Sequence, residues 1–565
     1  MEKVWLKNYP PGVPVEINPD TYKSLVDIVE QTCQQYSELP AFYNLGVTLT
    51  FQDIYRLSES VAAWFQSVLH LKKGDRLALM MPNVLQYPVL LFGALRAGLT
   101  VVNVNPLYTA PELTHQMKDS GAETIVVLAN FMNVVKEALP NTSLKQVIVT
   151  YMGDLFPEPK AFFVNFYLKY IKRKIPRITI PHVIAFKEIL AKGKTLTFRP
   201  VDISNDDIAF LQYTGGTTGV AKGAMLTHRN LVANVMQAEA WFQPLLERGT
   251  EIIITALPLY HIFSLTGNCL FLFKVGGLNV LITNPRDLPQ MVSEMGKFKF
   301  TAITGVNTLF NGLLKNPLFA GLDFSRLKLS LGGGMAVQQA VAEQWQTVTG
   351  IPILEAYGLT ETSPCAVVNP ATLTHYNGTV GLPVSSTDIA ILDEQGVELG
   401  FDQPGELAIK GPQVMKGYWR NPAETQKVFT KDGWLLTGDI ASVDDQGYVR
   451  IRERKKDMIL VSGFNVYPNE IEDVIARLKG VKEVAVTGVP DEGSGEAVKA
   501  WIVRENPHLA VSDVLKHCHK NLTGYKIPRQ VEFVEELPKS NVGKILRRAL
   551  RDTALPVTDS PPSGT

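Results

Sequence analysis

A chain of 565 residues is too long for one ordinary core and fits about three or four domain-sized units. Hydrophobic residues make up 45% and charged residues 19%, a folded rather than a disordered composition. Lys plus Arg equals Asp plus Glu at 55 each, which argues against nucleic acid as the main partner. Cys33, Cys269, Cys365 and Cys518 are too scattered for a disulfide framework or a zinc site, and they suit a reducing cytosol. Met1 to Asp20 has no charged-then-apolar signal pattern.

In chain order, the first third alternates strand-like and helix-like segments. Arg76 to Met81 is an apolar run, Gln86 to Ala97 has helical spacing and ends at Gly98, and Thr100 to Val104 is strand-like again. Such alternation predicts parallel sheets covered by helices, with ligands in the loops at the carboxyl ends of the strands. Ala161 to Lys174 sets Phe163, Phe166, Tyr167 and Tyr170 at helical spacing beside four cations. It reads equally as a docked surface helix or as one lying on an anionic membrane. Ile262 to Ile282 is apolar but holds Asn268, Lys274, Asn279 and three glycines, so it reads as buried helix and strand rather than a membrane span. Apolar runs leading into turns recur around Ala302, Leu329 and Ile353.

After about Pro383 the character changes. Asp388 to Leu392, Gly405 to Lys410 and Tyr448 to Arg452 read as strands of a smaller β portion. Beyond the charged Arg452 to Asp457 lies a small α/β unit, with a helix over Glu470 to Lys479 and strands at Val484 to Val489 and Ala500 to Val503. Pro556 to Thr565 is rich in Pro, Ser and Gly and is predicted to be disordered.

The chemistry concentrates first in Tyr213-Thr-Gly-Gly-Thr-Thr-Gly-Val-Ala-Lys222-Gly223, after the strand-like Ile208 to Leu211. Gly215, Gly216 and Gly219 let backbone N–H groups turn toward an anion. Thr214, Thr217 and Thr218 add hydroxyls and Lys222 a positive charge, a set that suits a triphosphate. The usual P-loop has Lys directly after its last Gly, whereas Lys222 stands three residues after Gly219. A short glycine string alone could equally be a solvated turn. The full string resembles the signature of the adenylate-forming superfamily, which comprises acyl-CoA synthetases, luciferases and peptide-synthetase adenylation domains.

That resemblance implies further motifs in a fixed order. In Tyr357-Gly358-Leu-Thr360-Glu361 it implies that the tyrosine packs on adenine, the threonine meets the α-phosphate and the glutamate holds Mg²⁺. Upstream, Gly332, Gly333 and Gly334 permit close backbone approach. In Gly433-Trp-Leu-Leu-Thr-Gly-Asp439 the carboxylate is implied to bind the ribose hydroxyls, joined by Arg454 of Arg454-Lys-Lys-Asp457, with Lys456 at the hinge. Many relatives carry His where this chain has Leu436. Gly463 and Phe464, in Ser462 to Pro468, are implied to line the coenzyme A tunnel after a domain rotation. Lys544, closing Pro538-Lys-Ser-Asn-Val-Gly-Lys544, is implied to be the catalytic lysine. His261 of Leu257-Pro-Leu-Tyr-His261-Ile-Phe263 is implied to lie at the acyl pocket, although a lone His in an apolar run is more often a satisfied core residue.

The resemblance runs from Trp5 to Arg551 and is closest to the long-chain fatty acid–CoA ligases of bacterial fatty-acid degradation, through Asn103 to Tyr108, Leu211 to Asn230, Asn284 to Pro289 and Arg454 to Glu472. It implies an α/β fold: a large N-terminal domain of two α/β sheet subdomains plus a small β portion, then a small α/β lid. The expected boundaries are 1–453 for the N-terminal domain, 454–456 for the hinge, 457–555 for the lid and 556–565 for a disordered tail. ATP, Mg²⁺, a fatty acid and coenzyme A are the implied ligands. A cytoplasmic location is implied, with peripheral attachment to the inner membrane face and a homodimer left open. Thr304 to Asn307 and Gly332 to Gly334 are the expected acyl-tunnel residues. A ligase for medium-chain or aryl acids, or one serving a carrier protein, is the second reading. A catalytically dead fatty-acid-binding protein is the third, opposed by the intact Lys544, Glu361 and Asp439.

Overall fold

A computed structural model describes residues 2–176, 180–214, 221–491, 493–540 and 543–554. Gly215, Gly216, Thr217, Thr218 and Gly219, as well as the 556–565 tail, lie outside the described residues. Among the described residues the strands form four sheets. One is seven-stranded and runs Ile184–Ala185, Gln146–Thr150, Thr124–Leu128, Arg76–Met80, Thr100–Val104, Ile208–Thr214 and Lys222–Thr227. All its pairings are parallel except the last. The expected parallel sheet is therefore present. The loop read as Tyr213 to Gly223 is corrected in one respect: Tyr213 and Thr214 are strand residues that pair antiparallel with Gly223 and Lys222.

The second sheet has nine strands. Its parallel centre orders Ile353–Gly358, Leu329–Gly333, Ala302–Gly305, Ile252–Thr255 and Leu278–Leu281, with antiparallel pairs toward each edge. Asp388–Leu392, Gly405–Lys410, Leu435–Val443 and Val449–Arg454 form an antiparallel four-stranded sheet, as the turn-rich sequence predicts. A five-stranded sheet packed on the helix Pro468–Ala476 makes the small C-terminal domain, with its own core around Val466, Ile471, Val486 and Ile502. The turn at Lys455–Asp457 joins it to the strand Val449–Arg454.

Two elements wall the space between the sheets. The helix His228–Phe242 starts at a Thr227–Asn230 capping box, which satisfies its first orphan N–H groups. Its period sets Asn234, Ala238 and Trp241 on one face. The apolar stretch after His261 is a short α-turn, Ile262–Ser264, that continues as an eight-residue π-helix, Leu265–Leu272, before the strand Leu278–Leu281. The expectation of buried helix and strand holds. The π-helical winding carries no amphipathic signal, because apolar residues surround its axis and all its residues but Gly267 are buried; π geometry is frequent at functional sites.

Candidate active site

The parallel strands deliver their carboxyl ends to one cleft between the two large sheets and the C-terminal domain, a cavity of about 1710 Å³. Tyr357 and Gly358 end the strand Ile353–Gly358, Gly333 ends Leu329–Gly333, and Thr214 ends Ile208–Thr214. Thr360 and Glu361 follow in a 3₁₀ turn. Glycine is required at 358, because a Cβ there would stand 1.8 Å from the Pro364 carbonyl oxygen.

Asp439 is a buried carboxyl on one side of the cleft. It is 2% exposed and faces Arg454 directly across two antiparallel strands. Arg454 Nε lies 2.8 Å from Asp439 Oδ1, and the Tyr357 hydroxyl donates to Oδ2 at 2.5 Å. Burial pushes the Asp439 carboxyl up, and the Arg454 guanidinium opposes that rise. The tethered hydroxyl fixes the plane of the Tyr357 ring beside a carboxylate that keeps lone pairs for further donors. Glu361 accepts from the Tyr418 hydroxyl at 2.7 Å through one oxygen. Lys222 pairs with Glu424 and stands 5.2 Å above the Tyr418 ring.

Lys544 reaches the same cleft from the C-terminal domain on a tight hairpin. The Ser540 amide donates to the Lys544 carbonyl at 2.7 Å, and the Thr308 hydroxyl donates to the Gly543 carbonyl at 3.2 Å, docking the loop on the N-terminal domain. Lys544 keeps solvent contact through the open cleft, yet its ammonium is pushed down, to about 8, by burial first and by Arg454 next, with Asp439 opposing. His261 is pushed down to about 4 by burial and by Lys544. Its Nδ1 accepts from the Phe263 amide at 3.3 Å, so the neutral ring carries its proton on Nε2 and presents a donor.

Below His261 the cavity continues as an apolar arm. Leu329, Leu331 and Gly333 alternate onto one strand face, and all three line it. Thr304 is level with Leu331, and Ile253 lies at the level of Leu329 through Ala302. From Gly333 down to Leu329 the arm spans about 13 Å at ~3.3 Å per strand residue. Ala238, Trp241 and Phe242 from the helix and Phe271 and Leu272 from the π-helix form the facing wall. Trp241 is fully buried, with Nε1 donating to the Asn369 carbonyl at 3.1 Å and the Tyr9 ring edge-on at 5.0 Å. Of the expected tunnel residues, Thr304, Val306, Asn307, Gly333 and Gly334 line the cavity. Gly305 and Gly332 are corrected: strand alternation turns them the other way, toward Phe310 and toward Ile353 and Val337.

Lys456 sits in the exposed turn between the domains, its carbonyl accepting from Arg551 at 3.3 Å. Gly463 and Phe464 are not brought to the cleft. Ser462 and Gly463, at φ of 50° and 83°, turn a hairpin on the outer side of the C-terminal domain. There Phe464 is 55% exposed and stacks on Tyr525 with ring centroids 4.8 Å apart. Sequence reasoning missed Tyr418, Glu424, Glu355 and Arg547. Glu355 is a buried carboxyl lining the cavity, pushed up to about 8 by burial, with one oxygen accepting from the Val337 amide at 3.0 Å. The signals that could have found two of them are the string Lys416-Gly-Tyr-Trp419 and the Arg-Arg pair after Lys544.

The chain belongs to the AMP-binding enzyme family: residues 29–419 match the AMP-binding enzyme profile and residues 470–544 that of the AMP-binding enzyme C-terminal domain. Within that family it is 56% identical over 557 residues to a long-chain-fatty-acid–CoA ligase of Yersinia pestis, covering 99% of each chain. It is 50% identical to one of Haemophilus influenzae, covering 98% of each. Among solved structures, ATP-bound MatB of Rhodopseudomonas palustris superposes with a TM-score of 0.80 at 27% identity, covering 94% of this chain and 98% of that one.

Proposed function

We propose that the protein uses ATP to convert a long-chain fatty acid to its acyl-adenylate, with release of pyrophosphate, and then transfers the acyl group to the thiol of coenzyme A, supplying acyl-CoA for fatty-acid degradation. The observation that carries this reading is one continuous cavity. It joins the Tyr357–Asp439–Arg454 cluster to Lys544 and His261, and those to an apolar arm at least ~13 Å deep. At roughly 1.25 Å per methylene, the projection of a ~1.5 Å C–C bond, that depth takes about ten methylenes.

Asp439 and Arg454 hold the ribose and Tyr357 packs on the adenine. The hairpin carrying Thr214 and Lys222, with the string Gly215 to Gly219, embraces the phosphates. Gly333, Gly334 and Gly358 admit the nucleotide at the strand ends. The His261 Nε2–H donates to the fatty carboxylate. A carboxylate oxygen attacks the α-phosphorus, the P–O bond to pyrophosphate breaks, and a mixed anhydride forms. Lys544 and Thr360 face the charge that builds on the α-phosphate, pre-aligned rather than recruited from water. Glu361 fits Mg²⁺. It supplies one carboxylate, positioned by the Tyr418 hydroxyl, a hard oxygen ligand of the kind this ion takes. When bound, Mg²⁺ supplies charge neutralisation of the polyphosphate. In the second half the thiol adds to the acyl carbon and AMP leaves.

The domains run 1–453 and 457–555 about a hinge at 454–456. Rotation about Lys456 withdraws Lys544 and brings Gly463 and Phe464 to the cleft for coenzyme A. In support, the present arrangement seats Lys544 and leaves Gly463 outside.

The test is pyrophosphate release and CoA consumption across a panel of acids. Palmitate is expected to be used well above octanoate or a cinnamate, and preference for either of those would remove the long-chain reading.

No helix among the described residues is long and apolar enough to cross a membrane. Peripheral, cytoplasmic-face attachment is supported by the segment Lys160–Ile171. There Phe162, Phe163, Phe166, Tyr170 and Ile171 are each between 44% and 63% exposed, and Lys169 and Lys172 lie over Tyr170 and Tyr167. A Phe163→Ser/Phe166→Ser variant is expected to bind anionic vesicles about tenfold or more weakly in cosedimentation while retaining activity on detergent-dispersed acid. Unchanged sedimentation would discard this surface.

A further inference from the structure

A second charged cluster lies behind the catalytic loop. Glu453 is 1% exposed and precedes Arg454 on the last strand of the N-terminal domain. Its Oε1 stands 2.7 Å from Arg547 Nη1, and its Oε2 accepts from the Asn469 amide at 3.0 Å, in the first turn of the helix Pro468–Ala476. Arg547 completes its fork on Glu472, at 3.0 Å through Nε and 2.7 Å through Nη2, and on the Asn469 side-chain oxygen Oδ1 at 2.6 Å. Each of the three guanidinium nitrogens thus has an acceptor, as a largely buried arginine needs.

The partition of this cluster about the turn 455–457 is asymmetric. Arg547, Asn469 and Glu472 all belong to the C-terminal domain, and Glu453 is the one charged member on the other side, where the Arg452 carbonyl also accepts from Asn469 Nδ2 at 3.2 Å. A rotation about the turn therefore breaks the contacts to Glu453 and that one neutral bond to Arg452. Arg547 keeps Glu472 and Asn469, and Glu453 keeps its bond from the Arg454 amide, 2.9 Å long. Arg547 thus keeps an ion partner on opening, while Glu453 gives up its cation and retains one amide donor, so the electrostatic cost of opening falls on Glu453 alone. Further contacts between the domains, Lys315 with Glu505, Thr308 with Gly543 and Asn311 with the Lys482 carbonyl, involve half-buried or exposed groups.

Arg547 lies three residues beyond Lys544, and Glu453 is the neighbour of Arg454, which pairs with Asp439. We propose that Arg547 and Glu453 form a latch across the hinge that sets Lys544 in register with the nucleotide during adenylation and opens before thiol transfer. This inference rests on the two-step reaction proposed for the cleft. Arg547 is a positioning residue: it acts on the reaction through the placement of Lys544.

The experiment measures the two half-reactions separately in the full-length chain. Arg547→Met and Glu453→Gln are each expected to slow acid-dependent ATP–pyrophosphate exchange about 100-fold, the cost of a misplaced catalytic group. Thioester formation from supplied acyl-adenylate and CoA is expected to stay within about threefold, and the double variant to be no slower than the worse single one. Equal loss in both half-reactions for both variants would mark a merely structural contact and overturn the latch, as would exchange at the wild-type rate. Glu453→Gln preserves shape and the bond from the Asn469 amide, so it answers the question even where Arg547→Met folds poorly. Absence of exchange in the wild-type protein would instead strike at the adenylating function itself.

Discussion

Lys544→Ala is expected to lower acid-dependent ATP–pyrophosphate exchange by about 10²- to 10³-fold, the usual loss when one preorganised group facing transition-state charge is removed. ATP binding should persist, because Tyr357, Asp439 and Arg454 hold one another independently of the lysine. Thioester formation from supplied acyl-adenylate should also survive, since the proposed rotation withdraws this side chain from the cleft. A matching pH dependence arises from its environment. Burial and Arg454 hold the ammonium down to about 8. The charged form is the useful one, and it is present below that value. Adenylation should therefore fall as pH rises through about 8, and Lys544→Arg, which stays charged, should move that limb upward. Exchange at the wild-type rate in Lys544→Ala would remove the lysine from the mechanism.

The second large effect concerns the arm. Leu329 lies about 13 Å below Gly333, so Leu329→Trp should close the arm near the tenth methylene. A palmitoyl chain would lose the burial of about four or five methylenes at ~0.8 kcal/mol each, so kcat/KM for palmitate should fall by at least about 100-fold. Octanoate does not reach that depth, and its kcat/KM should change by less than about threefold. Trp241→Ala removes the opposite wall and should favour longer acids. Parallel losses for palmitate and octanoate would mean that the chain does not descend along this strand face. The comparison of two acids within one variant separates pocket filling from misfolding.

These two experiments rest on residues that differ in how visible they are in the chain. Lys544, Glu361 and Asp439 stand in contiguous strings that resemble family motifs, so the sequence could point to them, and their roles toward phosphate, metal and diol are what that resemblance implies. Trp241, Leu329 and Phe271 are ordinary core residues by type. They become a pocket wall only because the register pairs Ala302 with Leu329 and because a helix and a π-helix pack over that face. The choice of Thr304 but not Gly305 likewise comes from the pleat. Arg547 and Glu453, 94 residues apart, look like surface charges until the C-terminal domain folds back on the last strand.

By itself the chain determined the alternating α/β architecture and the change to a β portion and then a small α/β unit, because hydrophobic period and turn residues are local properties, and its motif strings carried the resemblance that implied an ATP site. Only the tertiary structure decided the depth and walls of the acyl arm, the donor tautomer of His261, the pairing of Lys222 with Glu424, and the placement of Lys544 inside the cleft with Gly463 outside it. Each of these depends on which distant segments share a register or an interface, and the physical reason is the same throughout. Burial, the neighbouring charge and the unused lone pair belong to the packed arrangement and not to the residue.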